Sequence, residues 1–129
     1  MKGIEILLLG AGGLIGTFLR FKITESPIVW GTLPMNVLIV NIVGSFVIGV
    51  FAFVSQQWNL DAKYAFFVAI GFCGALTTMS SFVLESSNLF DNRQYAIMAV
   101  NILTNVGLSL AAVMGGKIMA SAVLTGEFR

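Results

Sequence analysis

Four long stretches of this sequence carry almost no charge, and each has the length that a helix needs to cross a membrane. At a rise of about 1.5 Å per residue and a hydrocarbon core of about 30 Å, roughly 20 apolar residues suffice. Residues 4–23, 33–54, 62–90 and 95–122 meet that requirement. The charges gather in short patches at or between the ends of the stretches, at Lys2, at Arg20, Lys22 and Glu25, at Asp61 and Lys63, at Asp91 and Arg93, and at Glu127 and Arg129. Trp30 and Trp58 fall in two of the connecting turns, where indole rings favour the membrane–water interface. With 57% apolar and 10% charged residues in 129, a soluble domain cannot hide its apolar surface. The pattern predicts one all-α membrane domain of four transmembrane helices over residues 1–129.

Several classes fall away on composition. A net charge of +1 gives nucleic acid no basic face to bind. The chain has no histidine, which removes Ser-His-Asp triads and most zinc sites, and no nucleophile–base pair can be assembled for an enzyme. The single cysteine, Cys73, excludes an internal disulfide and reads as a small packing residue. The first apolar run follows Lys2 as a signal peptide would. It leads, however, into Arg20, Lys22 and Glu25 rather than into a small-residue cleavage site, so it reads as the first span.

The third stretch is too long for one straight crossing. Its middle runs from Gly71 and Gly74 into Thr77, Thr78, Met79, Ser80 and Ser81. Two glycines followed by hydroxyl residues predict a broken helix, with the break near 74–80 and carbonyls exposed near the bilayer midplane. Such backbone survives at depth where protein or a bound ion satisfies it. The alternative is an intact, tilted helix whose hydroxyls bond their own i−4 carbonyls. Small residues at four-residue spacing predict close helix approach at Gly12 with Gly16, Ser45 with Gly49, and Gly107 with Ala111 and Gly115.

Four spans place both termini on one side. That side carries Lys2, Lys63, Lys117 and Arg129, against Arg20, Lys22 and Arg93 on the other. The near balance removes the bias that sets orientation. The chain is therefore expected to insert both ways, and two opposed copies would form a two-fold dimer with its axis in the membrane plane.

Polar groups inside the spans form stripes. Asn41 and Ser45 lie one turn apart, and Asn101, Asn105 and Ser109 follow at i, i+4 and i+8. An amide left unpaired in an apolar medium costs roughly 2 to 7 kcal/mol, so these groups should face one another or a watery path. Glue between helices is the plainer reading. The only carboxylate well inside a span is Glu85, and neutral donors suit an anion better than a cation. Phe82 offers a positive ring edge, and Arg20 a cation at one end of the first span.

Three segments carry a resemblance: Gly12, Gly13, Gly16 and Arg20; Asn41, Gly44, Ser45 and Gly49; and the run Gly71, Gly74, Thr77, Thr78, Met79, Ser80, Ser81, Phe82 and Glu85. Together they resemble the Fluc, or CrcB, family of fluoride channels over nearly the whole chain. The resemblance implies an antiparallel, dual-topology homodimer in the cell membrane, surrounded by lipid, with two pores and a structural Na⁺ at its centre that is not transported. Backbone carbonyls of Gly74 and Thr77 from both subunits match the Na⁺ ligands. Asn41, Ser80, Ser81, Phe82 and Ser109 match the fluoride path, with Met79, Asn105 and Asn101 as further pore-facing positions. Arg20 and Glu85 match the vestibule arginine and the acid further along the third span.

The resemblance also implies passive export. Hydrofluoric acid enters a cell neutral, ionises inside, and leaves as the anion through the channel. Two positions depart from the family pattern. Met79 stands where the first of two phenylalanines is common, and Asn36 and Val37 stand where Gly-Thr is common. A small multidrug exporter is the rival transporter, but it requires a carboxylate within the first span, where this chain has only Glu5 at the edge. A non-conducting accessory protein is the other rival.

Overall fold

A computed structural model of the chain describes residues 1–126; Glu127 and Arg129, counted above among the charges, lie outside them. Helix α1 (Gly3–Thr24) leads into a hairpin of β1 (Val29–Trp30) and β2 (Leu33–Pro34), then α2 (Asn36–Gln57). The third stretch divides into α3 (Ala62–Ala65), a π-helical segment (Phe66–Cys73), α4 (Gly74–Leu76) and α5 (Met79–Asp91), and α6 (Tyr95–Thr125) ends the described chain. Gly3–Thr24, Asn36–Gln57, Ala62–Asp91 and Tyr95–Thr125 are each long and apolar enough to cross a membrane. The protein is a multi-pass membrane protein. Between 11% and 28% of the most apolar window of each span is fully buried within the chain, which leaves much apolar surface for lipid or another chain to cover.

Local chemistry sets the helix ends. The second helix begins at Asn36 rather than near residue 33, because Leu33 and Pro34 pair with Trp30 and Val29 across the turn at Gly31, whose φ is +63°. The fourth helix runs on to Thr125 and ends at Gly126, which takes the left-handed conformation (φ 74°) common after a helix.

The break in the third span falls after the glycines. Gly74 is helical, with φ −64°, and the chain leaves the helix at Thr77 and Thr78, with ψ 158° and 121°. A β-branched pair accepts extended backbone readily, and the Thr78 hydroxyl serves as the N-cap of α5, accepting the Ser81 N–H at 3.2 Å. Gly71 has a different use: a Cβ there would stand 2.8 Å from the Leu9 carbonyl oxygen of α1.

Close approach also explains the two main helix contacts. Helix α1 lies on the π-helical segment, where a Cβ on Gly12 or Gly16 would overlap the carbonyl oxygen of Phe67 or Phe72. Helix α2 packs on α6, with Gly49 against the Val113 carbonyl and Gly116 against that of Phe46. The stripe of Gly107, Ala111 and Gly115 faces away from its own chain, and a Cβ on Gly107 or Gly115 would meet nothing within 4 Å. Helical phase is the reason. Gly116 follows Asn105 by about three full turns and shares its inward face, whereas Gly107 and Gly115 do not.

Candidate functional site

The break at Thr77 and Thr78 lies beside Asn41 of α2. The Asn41 Oδ1 accepts the Thr78 backbone N–H at 2.9 Å, and its Nδ2 donates to the Thr78 carbonyl at 3.3 Å and to Asn105 Oδ1 at 3.0 Å. From Asn105 the bonds continue inward. Its Nδ2 donates to the Asn101 carbonyl (2.9 Å) and to Asn101 Oδ1 (3.1 Å), and Asn101 Nδ2 donates to Ser86 Oγ (3.2 Å). The Ser86 hydroxyl donates to the Phe82 carbonyl at 2.9 Å. This seam joins α2, α5 and α6 through groups that are buried and paired, as apolar surroundings demand.

Two carbonyls at the break lose their helical donors by the same geometry. The Thr78 N–H, which an unbroken helix would point at the Gly74 carbonyl, goes to Asn41; the Ser81 N–H, which would serve the Thr77 carbonyl, goes to the Thr78 hydroxyl. Gly74 is exposed on the surface of the single chain.

Alongside the seam runs an open groove of about 420 Å³. Its walls include Asn41, Gly44, Ser45, Cys73, Gly74, Thr77, Thr78, Met79, Phe82, Asn105 and Ser109. Seven of the residues proposed from the sequence for the ion path or the Na⁺ site therefore share one groove: Asn41, Gly74, Thr77, Met79, Phe82, Asn105 and Ser109. Met79 is 70% exposed and Phe82 only 9%. Ser109 Oγ is buried and, among the described residues, has no hydrogen-bond partner; the same holds for Glu85 Oε2.

The remaining positions lie around the groove. Asn101 is fully buried in the seam behind it. Ser80 is exposed, with its hydroxyl 3.4 Å from that of Thr78, and Ser81 is half-buried. Glu85 lies beside Asn101 on α5. Arg20 is half-buried near the end of α1, where its carbonyl accepts the Thr24 hydroxyl at 2.8 Å. Sequence reasoning passed over Thr78 as a site residue, although a threonine three residues ahead of Ser81 carries an N-cap signature. It also passed over Ser86, whose hydroxyl ends the seam and which no spacing rule connects to Asn101.

A family model described as "CrcB-like protein, Camphor Resistance (CrcB)" matches residues 7–117. The chain belongs to the CrcB family. Among its CrcB relatives, the "Fluoride-specific ion channel FluC" of Nitrosopumilus maritimus is 59% identical, over 97% of this chain and 99% of that protein. The protein of the same name from Methanococcus maripaludis is 41% identical, over 88% and 93%, and that of Koribacter versatilis 37%, over 92% and 97%. The CrcB match reaches into all four apolar helices and takes in every residue lining the groove.

Proposed function

We propose that this chain forms a fluoride-selective channel in the cell membrane, through which fluoride leaves the cytoplasm down its gradient and cellular toxicity is relieved. The observation that carries the reading is the groove at the helix break. It is walled by neutral hydroxyl, amide and apolar groups in a chain 59% identical, over nearly its whole length, to a relative named as a fluoride-specific channel. Fluoride holds its water tightly, so a selective path must offer close donors in exchange and still release the ion. The Ser109 hydroxyl, uncommitted among the described residues, is one such donor, and the Phe82 ring edge is another partial positive charge. Ser80 and Ser81 continue the hydroxyl track beyond the break, and Arg20 and Glu85 belong to the approaches.

The groove is open along one side, and an open groove is no pore. A second copy in opposite orientation closes it, consistent with the near-equal charge on the two sides of the chain. The carbonyls of Gly74 and Thr77 suit a hard cation such as Na⁺. One chain offers two such oxygens, and two copies about a two-fold axis offer four. The bound Na⁺ would supply fixed positive charge that holds the two breaks together, and it is not carried through.

The deciding experiment is efflux from liposomes holding the purified protein, followed with a fluoride electrode and repeated with chloride. Fast fluoride release without chloride release is expected. Protein that is folded and dimeric yet releases neither ion would overturn the channel reading in favour of an accessory role.

A further inference from the structure

The connection between the first two spans carries its charge on one flank only. Glu25 is the last charged residue before Asp61, so the hairpin of residues 28–34 is itself uncharged. The hairpin at residues 28–34 nevertheless holds a defined shape. Asn36 Nδ2 donates to the carbonyls of Ile23 and Ser26, each at 2.8 Å, and its Oδ1 accepts the Ile28 N–H at 2.8 Å. The Met35 N–H donates to the Ile28 carbonyl at 2.8 Å, and β1 pairs with β2. One side chain and one strand pair thus satisfy several of the backbone groups that an irregular connection normally leaves to water.

What the hairpin shows outward is apolar. Ile28 is 45% exposed, Val29 62% and Trp30 77%, while Leu33 turns inward and is buried, in a strand that touches α6. None of residues 28–34 lines the groove, so a second copy closing the groove has no need to cover the hairpin. Lys22 and Glu25, paired at 3.6 Å, stand just before it, and the Asn36–Ile23 bond holds the base of the hairpin level with this charged end of α1. An uncharged, internally bonded hairpin with an outward indole at that height is built for the zone where lipid headgroups meet acyl chains.

We propose that the hairpin of residues 28–34, held in shape by Asn36, is a lipid-seated anchor whose Ile28, Val29 and Trp30 side chains lie at the headgroup–acyl boundary of the bilayer. The partner is the lipid surface itself. Asn36 is then the brace of this anchor.

The chain has two tryptophans, so Trp58→Phe leaves Trp30 as the only indole. In phosphatidylcholine liposomes, Trp30 emission is expected to fall about twofold when bromine is carried on acyl carbons close to the glycerol, less when it is carried near the chain ends, and little with aqueous iodide. Subtracting the spectrum of Trp30→Phe from that of the unaltered protein gives the same signal without touching Trp58. Strong iodide quenching would overturn the proposal by placing the hairpin in water. Insensitivity to both quenchers would overturn it by placing the hairpin under protein. Asn36→Ala is expected to blunt the depth dependence and raise iodide access at least twofold.

Discussion

Asn41 grips Thr78 from both sides of the residue, accepting its N–H at 2.9 Å and donating to its carbonyl at 3.3 Å. A side-chain amide thereby does at the break what a neighbouring strand does in a sheet. Thr78 is only 7% exposed, so without Asn41 its backbone groups would be buried and unpaired. Each such group costs about 1–3 kcal/mol, and Asn41→Ala is expected to destabilise the chain by about 2–4 kcal/mol in an unfolding titration. Asn41→Asp keeps the acceptor but turns a donating nitrogen into a second oxygen facing the Thr78 carbonyl and Asn105 Oδ1. Fluoride flux is expected to drop sharply in both variants, and unchanged flux in both would show that the clamp has no part in conduction.

Ser109 offers the opposite test. Its hydroxyl is buried at the groove with no partner among the described residues, so the fold gains nothing from it. Ser109→Ala should leave unfolding within about 0.5 kcal/mol of the unaltered protein. If the hydroxyl serves the ion, flux falls about tenfold, the factor that corresponds to 1.4 kcal/mol. Loss of stability with flux preserved would make Ser109 a packing residue.

The glycines of α1 and α6 are predicted to differ although their spacing looks alike. Alanine at Gly12 or Gly16 would drive a methyl group into the carbonyl of Phe67 or Phe72, and a misfit of that kind costs about 1–3 kcal/mol. Alanine at Gly107 meets nothing within its own chain. Thermal unfolding of the purified proteins should show Gly12→Ala and Gly16→Ala lowered and Gly107→Ala unchanged. A drop at Gly107 in dimeric protein would mark that face as a contact between copies.

These comparisons show what the sequence made legible. The four spans follow from length and charge spacing alone, because a bilayer admits few other solutions for such a chain. A long third stretch, with glycines leading into hydroxyl residues, pointed to an interruption near 74–80, and the chain leaves the helix within that range, at Thr77 and Thr78 rather than at a glycine. Glycine serves close approach as often as it serves bending, and at Gly71 and Gly74 only neighbouring backbone decides between the two. The stripe of Asn101, Asn105 and Ser109 was readable from its period. That Asn101 lies in the seam while Ser109 lines the groove was not, since this depends on how α5 and α6 are rotated against each other. Asn36 gave no sign of its three backbone bonds, because its partners lie 8, 10 and 13 residues away.

Cation dependence tests the two freed carbonyls. Their would-be donors are taken by Asn41 and by the Thr78 hydroxyl, which leaves the oxygens of Gly74 and Thr77, two residues that line the groove, without their helical donors. If Na⁺ spans these oxygens in two copies, replacing it by N-methylglucamine should shorten the lifetime of the dimer in detergent and abolish fluoride flux, both reversibly. A dimer and a flux indifferent to Na⁺ would leave those carbonyls to water or lipid.

Met79 and Phe82 stand three residues apart on α5, and both line the groove, but they present themselves differently. Phe82 is tucked in at 9% exposed and Met79 projects at 70%. The thioether of Met79 fills space without a positive edge, whereas a phenyl ring there would add a second partial charge of the sign that attracts an anion. Met79→Phe is therefore expected to raise fluoride flux several-fold. It should leave stability nearly unchanged, because the side chain is mostly outside the packed interior of its own chain. Phe82→Ile removes the one aromatic ring that lines the groove among the described residues, and it should cut flux strongly while elution on size-exclusion chromatography is unchanged. If the two substitutions leave flux equal to that of the unaltered protein in the liposome assay, the ring edge plays no part in conduction, and the hydroxyl and amide donors alone must account for the path.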